Sequence, residues 1–117
     1  MIAVPAGMQV LVATRPVDFR KGADGLAALV REALGRDPFC GTLFVFRARR
    51  ADRVKILAWD GSGLILLWKR LEHGAFRWPP ITDGMMQLTP AQLAVLFDGM
   101  DWTRLLGRDV VRPTATS

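Results

Sequence analysis

Apolar positions along this chain change period several times, and each change marks an element. Residues 8–14 (MQVLVAT) are rich in Val and Leu and alternate imperfectly, which predicts a buried strand ended by Pro16. Phe19, Leu26, Leu29, Val30, Ala33 and Leu34 then recur at helical steps on one face. Asp18 stands where the N-cap of that helix is expected, and Gly22 and Gly25 weaken its first half by about 1 kcal/mol each relative to Ala. The firm part is therefore 24–34, closed by Gly35. After a loop at 37–41 come three runs of strand character, 42–48, 53–59 and 64–71. They are joined by 49–52 and by Asp60-Gly61-Ser62-Gly63, whose Asp-Gly pair is a hairpin signal. Connections this short force antiparallel neighbours. Residues 74–80 (GAFRWPP) form a loop or edge segment, and 85–88 a short strand. Thr89-Pro90-Ala91-Gln92 opens a second helix, with Thr89 as cap, Pro90 at N1 and Gln92 completing a capping box. Leu88 and Leu93 fit a hydrophobic staple, Gly99 closes the helix, and Trp102 is placed to fold back on the core.

The elements add up to an α+β fold. A single domain over 1–103 holds an antiparallel meander sheet of four or five strands packed by two helices, and 104–117 form a flexible C-terminal tail. Strand parity puts Val54, Ile56 and Ala58 on one face with Ile65, Leu67 and Leu71, an apolar face expected to bury against the first helix. The other face carries Arg53, Lys55, Leu57 and Trp59 beside Leu64, Leu66, Trp68 and Arg70, and suits either a partly exposed binding surface or a second contact with another layer or subunit.

Composition narrows the class. The chain has 117 residues, half of them hydrophobic and 23% charged, which suits one packed core and not a disordered chain. No apolar run approaches the roughly 18 residues of a membrane span, and the N-terminus lacks the features of a secretion signal, so a cytoplasmic location with no membrane partner is expected. The net charge of +5 is unevenly placed. Residues 47–77 hold eight basic side chains against three acidic ones, while the remainder carries eight of each. The excess is formed by Arg47, Arg49, Arg50, Arg53, Lys55, Lys69, Arg70 and Arg77, the pattern of an electrostatic footprint for a polyanion. Thirteen of the sixteen cations are Arg, whose planar fork holds phosphate in two-pronged fashion. Arg20 and Lys21 are further candidates for a phosphate or partner contact; salt bridging to Asp18 or Asp24 is the structural alternative. A solvated, aggregation-blocking hairpin tip is the alternative for the 47–50 cluster.

Candidate catalytic chemistry is sparse. One cysteine (Cys40) and one histidine (His73) make neither an internal disulfide nor a four-ligand zinc site. Neither glycine pair, 22/25 or 61/63, has the lysine and spacing of a phosphate-binding loop. Asp18, Asp60 and Asp101 have local structural roles as cap, turn and helix-end residues, and Ser62 has no base nearby in sequence. No metal, cofactor or catalytic residue is assigned, and an enzyme is the third-ranked reading.

Several blocks in order resemble a known family. They are Asp18-Phe19-Arg20-Lys21-Gly22 with Asp24-Gly25-Leu26; Leu43-Phe44-Val45-Phe46-Arg47 with Arg49-Arg50; Trp59-Asp60-Gly61-Ser62-Gly63; Lys69-Arg70-Leu71-Glu72; Gly74 with Phe76, Trp78 and Pro79; Leu88-Thr89-Pro90-Ala91-Gln92-Leu93; and Gly99 with Asp101-Trp102. The chain resembles, from about Val4 to Trp102, the accessory TnpB protein encoded by the second open reading frame of insertion sequences of family sixty-six, which is unrelated to the RNA-guided nuclease of the same name. Phe19 stands where that family usually has Met, and Ala48 and Ala51 where Gly is common. The resemblance implies a bacterial protein that assists transposition beside a separate catalytic transposase. Joined to the charge pattern, it leaves two leading expectations. One is a factor that binds DNA, at element ends or without sequence preference, through the basic hairpin region. The other is a protein-interaction subunit that docks on the transposase without contacting DNA.

Overall fold

The structure, a computed structural model, describes residue 5 and residues 7–103. The tail expected at 104–117 lies outside the described residues. Within them the chain forms five strands and two helices: β1 (Val10–Ala13), α1 (Ala23–Glu32), β2 (Leu43–Arg47), β3 (Arg53–Trp59), β4 (Leu64–Arg70), β5 (Met85–Leu88) and α2 (Pro90–Phe97). They build one α+β sheet in the order β4-β3-β2-β1-β5. β2, β3 and β4 form the expected antiparallel meander. β1 departs from it and runs parallel to β2, because the long connection through α1 is a crossover that returns the chain in the same direction. β5 pairs antiparallel to β1 on its far side.

The helices lie on opposite faces. Leu26, Ala27 and Val30 of α1 bury against Leu11, Ala13, Phe44, Phe46 and Leu57. Leu93 and Leu96 of α2, with Phe76 and Trp102, bury against Val10, Val12, Val45, Val54, Ile56 and Leu88. The face of Val54 and Ile56, expected beneath the first helix, lies instead beneath α2 and Trp102, and α1 covers the face of Lys55 and Leu57, which is the contact with another layer and not the partly exposed surface. The cause is that the central strands are apolar on both sides: all four residues of β1 are buried. Strand parity separates two faces of such a sheet but does not say which helix covers which.

Asp18 does not cap α1. The helix begins after Gly22, which lies in extended conformation with no side-chain cap, and Asp18 is too far upstream to reach the first free N–H groups. A Cβ at Gly25 would sit 3.2 Å from Cβ of Lys21, a tight contact that the lysine stem would have to ease by a few tenths of an ångström. α2 opens as its sequence predicts: the Gln92 N–H donates to Thr89 Oγ1 at 3.0 Å, and the Thr89 N–H donates to Gln92 Oε1 at 2.7 Å. Among the described residues no helix is long and apolar enough to cross a membrane.

Candidate nucleic-acid interface

The β2–β3 hairpin and the β1–α1 turn meet at one end of the sheet. The Val17 N–H donates to the carbonyl of Arg47 at 2.9 Å, which ties the turn to the end of β2. The turn itself is closed by Asp18. Its Oδ1 accepts the Arg20 backbone N–H at 2.9 Å, and its two oxygens take the Arg20 guanidinium at Nε (3.1 Å to each) and Nη2 (2.8 Å). Hydrogen bonding from the Arg20 side chain, then from its backbone N–H, lowers the Asp18 pKa to about 2, and the same pair raises that of Arg20.

Lys55 supports this turn from below. It is buried, and its ammonium donates to the carbonyls of Phe19 (2.7 Å) and Lys21 (2.9 Å) while lying 5.0 Å from the Phe19 ring centroid. A lysine so placed holds backbone and cannot reach a ligand outside, so it leaves the group of candidate phosphate contacts. Lys69 is likewise engaged within the fold. Its ammonium donates to the Phe97 carbonyl at 2.7 Å, at the C-terminal end of α2 where the helix dipole favours a cation.

The remaining candidates divide by position. Arg47 points to the α2 face, with its guanidinium carbon 5.5 Å from the Trp78 ring centroid and a buried Nε without a partner; desolvation lowers its pKa. Arg49, Arg50 and Arg53 line a cleft of about 520 Å³ whose opposite wall is Asp18, Phe19 and Arg20. Arg20, Arg49 and Arg50 are the open members, and the side chains of Arg20 and Arg50 are 90% and 73% exposed. Arg53 is largely covered, and its Nε lies 3.3 Å from Asp52 Oδ1, an ion pair without aligned hydrogen-bond geometry. Arg50 Nη2 approaches the other oxygen of Asp52 at 4.0 Å. A second, shallower recess of about 280 Å³ continues from Arg50 and Arg53 to Arg70, which stands opposite Arg53 in the β3–β4 ladder, and to Glu72. Lys21 and Arg77 are exposed and line neither recess.

The hairpin tip is fixed from behind. The Ala51 carbonyl accepts the Phe76 N–H at 3.0 Å and the Trp78 Nε1–H at 3.1 Å. Trp102, buried in the same core, donates its Nε1–H to the carbonyl of Arg77. The sequence reading missed the union of Arg20 with the hairpin arginines. Its one signal was Lys55, a cation set between Val54 and Ile56 inside a strand that is otherwise apolar beyond Arg53.

Among the described residues, acidic and nucleophilic groups do not converge. Among the described residues no three His, Cys, Asp or Glu side chains form a metal-binding group. Asp60 closes its own turn by accepting N–H groups of Ser62 and Gly63, both at 2.9 Å, and these bonds lower its pKa. Asp101 Oδ1 accepts the Thr103 N–H at 3.0 Å.

Comparison with known proteins agrees with the blocks of sequence that build this site. A family model described as IS66 Orf2 like protein matches residues 8–106. The chain is 51% identical to uncharacterized protein y4jC of Sinorhizobium fredii over 114 residues, covering 97% of each protein. It is 40% identical to uncharacterized protein y4hO of the same organism over 113 residues, 95% of this chain and 96% of that one. No solved structure matches. The chain belongs to the IS66 Orf2-like family of insertion-sequence accessory proteins.

Proposed function

We propose that this accessory protein assists transposition by holding the phosphate backbone of DNA in the cleft between the β1–α1 turn and the β2–β3 hairpin. The observation that carries the reading is the cleft itself. It gathers Arg20, Arg49, Arg50 and Arg53 from two distant parts of the chain, with Asp18 the one carboxylate on its wall among the described residues and Asp52 behind it. The two carboxylates orient guanidiniums without neutralising all of them. Asp18 engages Nε and Nη2 of Arg20 and leaves Nη1 to a ligand. Arginines already held in place lose less side-chain freedom when they bind. Arg70 extends the positive surface through the second recess, and Arg77 and Lys21 add long-range attraction. Contacts of this kind position a duplex and carry no sequence information.

Fluorescence anisotropy with element-end and unrelated duplexes, across a salt series, tests the reading. Each neutralised phosphate contributes about −0.9 to the log–log slope of affinity against salt. Arg49→Ala with Arg50→Ala is expected to make the slope shallower by roughly one per lost contact and to weaken both duplexes alike. The melting temperature should barely change, because exposed cations contribute little to stability. Protein that binds no DNA at low salt but captures the transposase overturns this reading in favour of docking, with the guanidiniums receiving carboxylates instead.

A further inference from the structure

Among the described residues, β4 is an edge strand left without the usual protections. Native edges are kept short, carry proline or outward charge, or are covered. The other edge, β5, has four residues, whereas β4 has seven and no proline. One of its two cations, Lys69, is turned onto α2. Its side chains are apolar and open on both faces: Ile65 is 42%, Leu67 40% and Trp68 51% exposed. An apolar groove of about 280 Å³ lies beside Ile65 and Leu67, floored by Ile56 and Ala58.

The free hydrogen-bonding groups of this edge follow from the ladder. The Leu71 N–H donates to the Asp52 carbonyl at 2.9 Å, and the Asp60 N–H donates to the Gly63 carbonyl at 3.1 Å. Odd-numbered residues of the strand therefore turn their peptide groups toward β3, and Leu64, Leu66, Trp68 and Arg70 turn theirs outward.

We propose that the occupant of this edge is a second copy of the chain, paired antiparallel through β4 about a two-fold axis at Leu67. The sequence of the strand is self-complementary in that register. Leu67 faces the partner's Leu67, each Trp68 faces the partner's Leu66, and each Arg70 faces the partner's Leu64. Like charges never stand opposite one another, and the basic end of each strand points toward the Asp60 turn of the other copy. All outward peptide groups from Leu64 to Arg70 gain partners. The axis is normal to the sheet, so both copies present α1 and the arginine clefts on one side. The two Arg70 residues then lie about 20 Å apart along the strands, at about 3.3 Å per residue. The dimer does not depend on the DNA reading and stands or fails separately from it.

Light scattering coupled to size exclusion on the full chain tests the pairing. The expected mass is twice the chain's 13.0 kDa. Leu67→Lys sets two ammoniums face to face on the axis and should give a monomer with an unchanged circular dichroism spectrum. Ile81→Lys, at a residue more exposed but outside β4, should remain a dimer. Register is read by a disulfide. A pair without ladder bonds has Cα atoms about 4.5 Å apart, within reach of a disulfide. Leu67→Cys in a Cys40→Ser background should crosslink under mild oxidation, and Ile81→Cys in that background should not. This second readout stands even if Leu67→Lys fails to fold. A monomeric wild type, a dimer that survives Leu67→Lys, or a Leu67→Cys protein that does not crosslink overturns the proposal. A wild type that is monomeric alone but gains a strand from another protein overturns it as well.

Discussion

Replacing Lys55 by Met separates two roles that the sequence alone leaves joined. If Lys55 contacted DNA, the change would remove about one unit of salt slope and leave the fold untouched. The structure gives it another job. Its ammonium is buried and makes two charge-assisted hydrogen bonds to the carbonyls of Phe19 and Lys21. Bonds to charged groups contribute about 1.5–3 kcal/mol each, and two carbonyls left without a partner lose that sum. Relief from desolvating an ammonium, and the apolar fit of Met beside Phe19, return part of it. A net loss of about 2–3 kcal/mol follows. With a urea m-value of about 1.5 kcal/mol per molar, the midpoint of unfolding should fall by roughly 1.3–2 M. DNA affinity, measured at a temperature where the variant is folded, should fall because Arg20 loses its support, while the salt slope of the remaining contacts is kept. An unchanged urea midpoint together with a slope shallower by one would refute this account and return Lys55 to the binding surface.

Two further changes test the fold that carries the site. Leu26→Asp should abolish cooperative unfolding, because Leu26 is fully buried among Phe44, Phe46 and Leu57, whereas Leu29→Asp should be milder since Leu29 is only half buried; equal melts for the two would contradict the placement of α1. Thr89→Ala should cost about 1 kcal/mol in a denaturant titration by opening the capping box of α2, with no effect on DNA affinity because α2 lies on the face away from the cleft.

The parts of this fold that the sequence declared are those set by local chemistry. β3 and β5 begin and end where strand-forming residues give way to turns, and Thr89, Pro90 and Gln92 build the start of α2 within four residues. The parallel pairing of β1 with β2 was not legible. Short connections dictate antiparallel neighbours for β2, β3 and β4, but a connection long enough to hold a helix allows either direction. The faces were not legible for a related reason, since β1, β2 and β3 are buried on both sides. The candidate site was half legible. Charge asymmetry pointed to the hairpin, and parity grouped Arg53, Lys55 and Arg70. Parity does not report distance from the end of a strand. Arg53 and Arg70 sit at strand ends, where Arg70 is exposed and Arg53, though largely covered, lines the cleft, while Lys55, two residues further in, lies beneath the β1–α1 turn.

Blocks that are remote in sequence serve one place in this fold. The turn from Asp18 to Lys21 rests on Lys55 and is tied to β2 through Val17. The hairpin that carries Arg49 and Arg50 is gripped behind by Phe76 and Trp78 at the Ala51 carbonyl. Trp102 reaches back to the same segment at Arg77, and Gly25 clears room for the stem of Lys21. Each contact uses backbone groups or a buried ring, so each fixes a position without consuming an exposed guanidinium. The turn and the hairpin are thus held rigidly with respect to one another, and Arg20, Arg49 and Arg50 are the outward-facing residues of that assembly. A solvated tip whose only task was to prevent aggregation would need charge but no such support from four separate segments. The investment in fixing the cleft is what favours a bound anion over a merely soluble surface.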